Sequence, residues 1–265
     1  MIRHFLEFLW CSKRIHRIQN PFVREFGTKV LPHKTSWQGR EIEKLRESLH
    51  NSQQVLPFQD YGAGTRLNIG HQRKYSVGLN AQRSARRYYQ GELLYRICRY
   101  YQPKRCLEFG TNLGISALYQ ISGLDQGQFI TMEGAAALAE LAQKHLNQFN
   151  LTAEVLTGEF SEILEKQINL SEYQPDYVFL DGNHQYEATL KYVDQLLPVM
   201  PSDSILIIDD INWSEGMRKA WKEIKQREEV TISVDLFAMG ICFIKKSQPK
   251  EDFAVFWPGL FNFIV

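Results

Sequence analysis

From Pro103 onward, short apolar runs alternate with amphipathic stretches five times in succession, and this alternation confines the chain to an α/β sheet architecture. The runs KRCLEFG, QFITME, AEVLTG, PDYVFLDG and DSILIIDD read as buried strands. Each is followed by a helical pattern: GISALYQIS, AAALAELAQKHLNQF, FSEILEKQI, QYEATLKYVDQLLP and SEGMRKAWKEIKQ. Two further runs, VTISVDLF and GICFIKK, are joined only by Ala238-Met239-Gly240. So short a link permits an antiparallel pair alone, because a parallel crossover needs about a dozen residues or more. The expected fold is a Rossmann-like, doubly wound, mostly parallel seven-stranded sheet with a C-terminal antiparallel hairpin.

Before Pro103 the pattern is helical. Phe5, Leu6, Phe8 and Leu9, then Ile15 and Ile18, form an apolar stripe among Arg3, Lys13, Arg14 and Arg17, and Pro21 ends or restarts that helix. Ser36 is placed to cap a helix running through Ile42, Leu45 and Leu49. Residues 57–75 are rich in glycine and polar side chains and read as a surface loop, in which Tyr61, Arg66, Arg73 and Tyr75 are candidates for a lid. A further helix is expected over 84–101. The expected organisation is a helical extension and substrate lid over 1–102 and the main domain over 103–265.

Charge separates these two parts. Residues 1–105 carry 20 Lys/Arg against 7 Asp/Glu, whereas the remainder carries 11 against 23. Mutual attraction within the fold or across a homodimer accounts for such a split; contact of the basic, amphipathic residues 1–31 with a membrane surface is the alternative. No apolar run approaches the roughly 20 residues of a membrane span, and the start of the chain lacks a signal-peptide pattern. Cys11, Cys98, Cys106 and Cys242 show no paired spacing. Cys106 and Cys242 fall in strand-like runs, as expected for buried thiols in a reducing, cytoplasmic compartment.

Ligands of open α/β sheets collect outside the carboxyl ends of the strands. Four such ends here carry carboxylates: Glu108 before Gly110-Thr111-Asn112-Leu113-Gly114, Glu133 before Gly134, Asp181 before Gly182-Asn183-His184, and Asp209-Asp210. Gly110 and Gly114 bracket a turn entering a helix, where missing side chains let backbone approach a ligand. A dinucleotide fingerprint calls for glycine at the position of Asn112, to admit a pyrophosphate, so the turn suits a cofactor without phosphate better. Glu133 is placed to accept hydrogen bonds from both hydroxyls of a ribose.

LEFGTNLGIS, TMEG, LTGEF, DYVFLDGNHQYE and ILIIDDINW, in this order, resemble the class I S-adenosylmethionine (SAM)-dependent methyltransferases. The likeness is greatest to metal-dependent O-methyltransferases of the catechol and macrolide-sugar type, and DYGAG at 60–64 resembles a segment of a bacterial group of uncharacterised methyltransferases. The resemblance covers about residues 36–246. It implies that Glu108, Gly110, Asn112 and Gly114 wrap the methionine part of SAM. Glu133 and Gly134 hold the ribose, Gly158, Glu159 and Phe160 lie by the adenine, and Asp181 borders the cofactor. Asp181, Asp209 and Asp210 fall where those enzymes bind a divalent cation such as Mg²⁺; asparagine is common at the third position, so Asp210 is a departure. His184 matches the position of a catalytic base. The implied acceptor is a small hydroxylated molecule or sugar.

Two other functions compete. An RNA methyltransferase would use a row of arginines (Arg83, Arg86, Arg87, Arg96 and Arg99) on phosphate. Against nucleic acid as a partner, DGNH differs from the Asn/Asp-Pro-Pro-Tyr/Phe loop of many amino-group methyltransferases. A non-catalytic SAM-binding or membrane-surface protein is the other; His184 and three nearby acids argue for retained chemistry.

Overall fold

In a computed structural model of the chain, residues 2–32, 35–59, 72–84 and 88–257 are described. The helices α1 (Ile2–Cys11) and α2 (Pro21–Lys29) come first. Asn20 caps α2 by accepting from Val23 N, and Pro21 takes the first helical position, where its missing N–H costs nothing. Helix α3 (Trp37–His50) is capped by Ser36 as expected, its Oγ accepting from Gly39 N at 2.8 Å. Strands β1 (Val55–Gln59) and β2 (Gln72–Ser76) pair antiparallel, so both ends of the segment read as a loop are strands. DYGAG, Tyr61 and Arg66, and the side chains of Arg73 and Tyr75, lie outside the described residues. The helix expected over 84–101 is α5 (Tyr88–Tyr101), and a further helix, α4 (Val77–Ser84), precedes it.

The alternating region follows the expected order: β3 (Arg105–Phe109), α6 (Ile115–Gly123), β4 (Gln128–Glu133), α7 (Ala136–Gln148), β5 (Glu154–Thr157) and α8 (Phe160–Lys166). After a single turn, α9 (Leu170–Tyr173), come β6 (Tyr177–Leu180), α10 (Tyr186–Leu196), β7 (Ser204–Asp209), α11 (Glu215–Ile224), β8 (Ile232–Asp235), β9 (Met239–Ile244) and β10 (Glu251–Ala254). The main sheet has eight strands instead of seven, because Glu251–Ala254 adds an edge strand parallel to β8. No helix among the described residues is long and apolar enough to cross a membrane.

Contacts group the chain into two units, His33–Asn169 and Met1–Pro32 with Leu170–Val265. In the first, β3, β4 and β5 run parallel in that order, with Phe109 opposite Met132 and Glu133 opposite Thr157. This register gathers the loops after all three strands at one end. The second unit has the order β10-β8-β9-β7-β6. Its β6 and β7 are parallel, with Leu180 opposite Ile208, and β9 is the one reversed strand, antiparallel to both β7 and β8. The expected hairpin forms, but its connection is Leu236-Phe237-Ala238, with Met239 and Gly240 already paired in β9. Both faces of the parallel strands β6 and β7 are buried, as their continuous apolar runs require, and so are those of the reversed β9.

Candidate active site

In the first unit, β3 ends at Phe109 and the chain turns through Gly110 (φ 93°), Asn112 (φ 48°) and Gly114 (φ 78°) into α6. Three left-handed residues in five curl the backbone, and two of the three are glycine, which adopts that conformation without cost. The loop is held from several sides. Gly110 N and Thr111 N both donate to Met132 O, at 2.9 and 3.0 Å. Asn112 N donates to Glu133 Oε2 at 2.7 Å, and Asn80 of α4 donates from Nδ2 to Asn112 Oδ1 at 2.7 Å. From α7, His145 Nδ1 lies 2.8 Å from Leu113 O; a carbonyl only accepts, so Nδ1 carries the proton. Burial lowers the His145 pKa below its ordinary value, an effect that the bond to Leu113 partly offsets.

Glu133 closes the next loop with its other oxygen, accepting from Ala135 N at 2.9 Å across Gly134. One carboxylate therefore ties the turn after β3 to the turn after β4. Glu108 is placed otherwise: it is fully buried, taking Gln120 Nε2 on Oε1 and Thr131 Oγ1 on Oε2, each at 2.6 Å. The Thr131 hydroxyl lies in turn 2.6 Å from that of Thr111, so the buried carboxylate reaches the glycine loop through two hydroxyls. After β5, Gly158 (φ 150°) donates its N–H to Glu133 O at 3.0 Å. Glu159 caps α8 by accepting from Glu162 N, and the half-buried Phe160 ring meets Phe109 edge-on, with centroids 5.5 Å apart.

In the second unit, β6 delivers Asp181 and β7 delivers Asp209 and Asp210. Asn183 and Asp210 both take left-handed conformations, φ 50° and 54°, which asparagine and aspartate tolerate better than most residues. His184 Nε2 stands 3.7 Å from Asp181 Oδ1 and 3.9 Å from Asp210 Oδ2. Those distances exceed a direct hydrogen bond. Helix α10 begins without a side-chain cap and α11 is capped by Ser214, so none of these carboxylates serves as a cap. The loop after β7 is fixed to the β8–β9 turn by Asn212 Nδ2, which donates to Phe237 O at 2.8 Å, and Trp213 stands exposed beside it.

Carboxylate oxygens suit a hard divalent cation. Among the described residues, however, no group of three or more His, Cys, Asp or Glu is arranged to hold a metal ion. Asp181 and Asp210 face His184, and Asp209 is only 1% exposed. Sequence reasoning also passed over two residues that brace the glycine loop. Asn80 carries no local signal, but His145 does: with Leu138, Ala139, Ala142 and Leu146 it completes the buried stripe of α7.

Residues 107–211 match the family model described as a methyltransferase domain. A curated catechol O-methyltransferase of Niastella koreensis is 31% identical over 125 residues, 46% of this chain and 56% of that protein. The chain thus spans about half the length of the curated relative it matches. Among solved structures, the O-methyltransferase TomG of Streptomyces achromogenes, in complex with SAM, aligns with a TM-score of 0.58 at 17% identity, over 82% of this chain and 94% of that one. An O-methyltransferase of Bacillus cereus, in complex with SAH, aligns with a TM-score of 0.54 at 16% identity, over 89% and 99%. Residues 107–211 therefore match a methyltransferase domain, and over most of its length the chain has the Rossmann-like fold of these solved methyltransferases.

Proposed function

We propose that this chain is a SAM-dependent methyltransferase that methylates a hydroxyl oxygen of a small molecule. The observation that carries this reading is the curled loop 110–114, bound through Asn112 N to Glu133 at the end of the neighbouring strand, inside the region that matches a methyltransferase domain. Glu133, in this reading, offers lone pairs to a ribose. In this reading Gly110, Asn112 and Gly114 hold the methionine part of SAM, Glu133 and Gly134 the ribose, and Gly158, Glu159 and Phe160 border the adenine, with Asp181 at the cofactor's edge. Glu108 acts from behind the loop, through Thr131 and Thr111.

Bound SAM supplies an electrophilic methyl group on a sulfonium. What remains for the protein is to align an oxygen with that methyl and to remove its proton. His184 is the proposed base, and the carboxylates of Asp181 and Asp210 stand beside it. No step is routed through a metal ion. Divalent-cation assistance, which the resemblance implies for Asp181, Asp209 and Asp210, stands as a separate proposal to be judged by the effect of a chelator on turnover. The name of the Niastella koreensis relative supports a hydroxylated acceptor, and the buried thiols of Cys98, Cys106 and Cys242 suit a reducing cytoplasm.

The arginine row gives little support to an RNA substrate. The Arg96 side chain is 10% exposed beside Glu92, Arg99 is paired with Asp125, and the side chains of Arg83, Arg86 and Arg87 lie outside the described residues. Calorimetry with SAM and NAD side by side, followed by transfer of labelled methyl to a panel of catechols and sugars, tests the proposal. SAM is expected to bind and NAD not. His184→Ala should lower kcat by about 100-fold or more with SAM affinity unchanged; equal losses in both would make His184 structural.

A further inference from the structure

We propose that α1 and the turn that follows it form a docking surface for a bilayer leaflet bearing anionic headgroups. The segment has two dissimilar sides. Its inner side is fixed to the second unit: Phe5, Phe8 and Leu9 pack on Phe237 and Ala254, with the Phe5 and Phe237 rings edge-on at 5.0 Å. Lys13 N donates to Ala254 O at 2.8 Å, and Phe256 N donates to Lys13 O at 3.0 Å. Ile15 lies over Gly27 of α2, where an added Cβ would stand 2.0 Å from Ile15 Cδ1, and Ile18 is buried. The orientation of the segment is thus set by packing on both sides of the turn.

The outer side holds what packing leaves over. Arg3, Leu6 and Trp10 are spaced three and four residues apart and share one helix face. Leu6 is 60% and Trp10 91% exposed. Lys13, Arg14 and Arg17 follow directly in the chain as exposed cations. Over residues 1–17 there are four Lys/Arg and a single acid, Glu7, which pairs with Arg3. An exposed indole and leucine with exposed cations before and after them in the chain match a membrane interface, where tryptophan settles at headgroup depth and Lys/Arg meet anionic lipid. A second copy of the chain is a poorer occupant, because a two-fold contact through this face sets its cations against their own symmetry mates.

The test uses the full chain and vesicles of phosphatidylcholine alone or with about 30% phosphatidylserine, separated by sedimentation. Binding is expected to the anionic vesicles and not to the neutral ones, and to fall with added salt. Each cation near such a surface contributes about fivefold to affinity, so the double variant Arg14→Glu and Arg17→Glu should lose at least about 25-fold. The double variant Leu6→Ser and Trp10→Ala should lose about tenfold or more. All four side chains are exposed, so melting temperature and SAM binding should stay at wild-type values, which separates lost docking from lost folding. Equal binding to both vesicle types, no binding to either, or variants that sediment like wild type would overturn the proposal. So would a dimer of the wild-type chain that the Leu6→Ser and Trp10→Ala variant dissolves, since the face would then be a contact between copies.

Discussion

Replacing His145 with phenylalanine keeps a flat ring of similar size in α7 and removes the N–H that Leu113 O accepts. Both groups are buried, His145 to 6% exposure and Leu113 to 1%, so water cannot substitute for the lost donor. A buried carbonyl left without a partner costs about 1–3 kcal/mol, and here that carbonyl belongs to the loop proposed to hold SAM. Urea melts should show a loss of about 2 kcal/mol, and calorimetry should show SAM affinity reduced by about tenfold. His145→Asn presents an amide N–H in nearly the place of Nδ1 and should recover most of both. Acidity adds a second readout. Burial is the larger influence on His145 and holds its pKa below the ordinary 6.5. Below about pH 6.5 the unfolded chain therefore binds a proton at this position that the folded chain does not. Stability should fall as pH drops through that region, by up to about 1.4 kcal/mol per pH unit, until the lowered folded value is reached. The His145→Asn variant should lack this contribution. The reasoning fails if the phenylalanine variant melts and binds SAM like wild type, if asparagine is as damaging as phenylalanine, or if the acid slope is the same in all three proteins.

Glu133→Gln leaves one oxygen in place but sets an NH₂ against the N–H of either Asn112 or Ala135, both of which donate to the wild-type carboxylate. SAM affinity should fall at least about tenfold while the far-UV circular dichroism is kept; unchanged affinity would remove Glu133 from the proposed ribose site. Gly240→Ala would bring a Cβ to 2.6–2.8 Å from the Trp221 ring, which is held by its Nε1–H bond to Asp235. Overpacking of that kind should destabilise by about 1–3 kcal/mol in denaturant melts, and Trp221→Phe in the same chain should relieve part of it.

The strands and helices from 105 to 244 were legible because burial there follows the local pattern: apolar runs on strands, stripes on helices. The elements that escaped are those whose stability comes from distant partners. Strand β10 is EDFA, four residues with two acids, and it exists because Glu251–Ala254 pairs with Ile232–Asp235. Strands β1 and β2 contain Pro57 and the polar run QRKYS, which look like loop until they are laid against each other. At the site, the identity of the acidic strand tips was readable, but their direction was not. Every residue of β3 from Cys106 to Phe109 is buried, so nothing local distinguishes a Glu108 aimed at a ligand from one enclosed by Gln120 and Thr131. Asn80 meets Asn112 across 32 residues of chain, a contact set by where α4 lands and by no periodicity.

The clasp between the first helices and the last strand bears on how the protein is made. Trp257 Nε1 donates to Leu31 O across 226 residues, and Asn20 Nδ2 donates to Glu251 Oε1 across 231. A ribosome adding about 5–20 residues per second needs roughly 10–45 s to cover that interval, during which α1 and α2 have emerged without the residues that seat them. Through that wait Phe5, Phe8 and Leu9 belong to a nascent chain that lacks the Phe237 and Ala254 on which they pack.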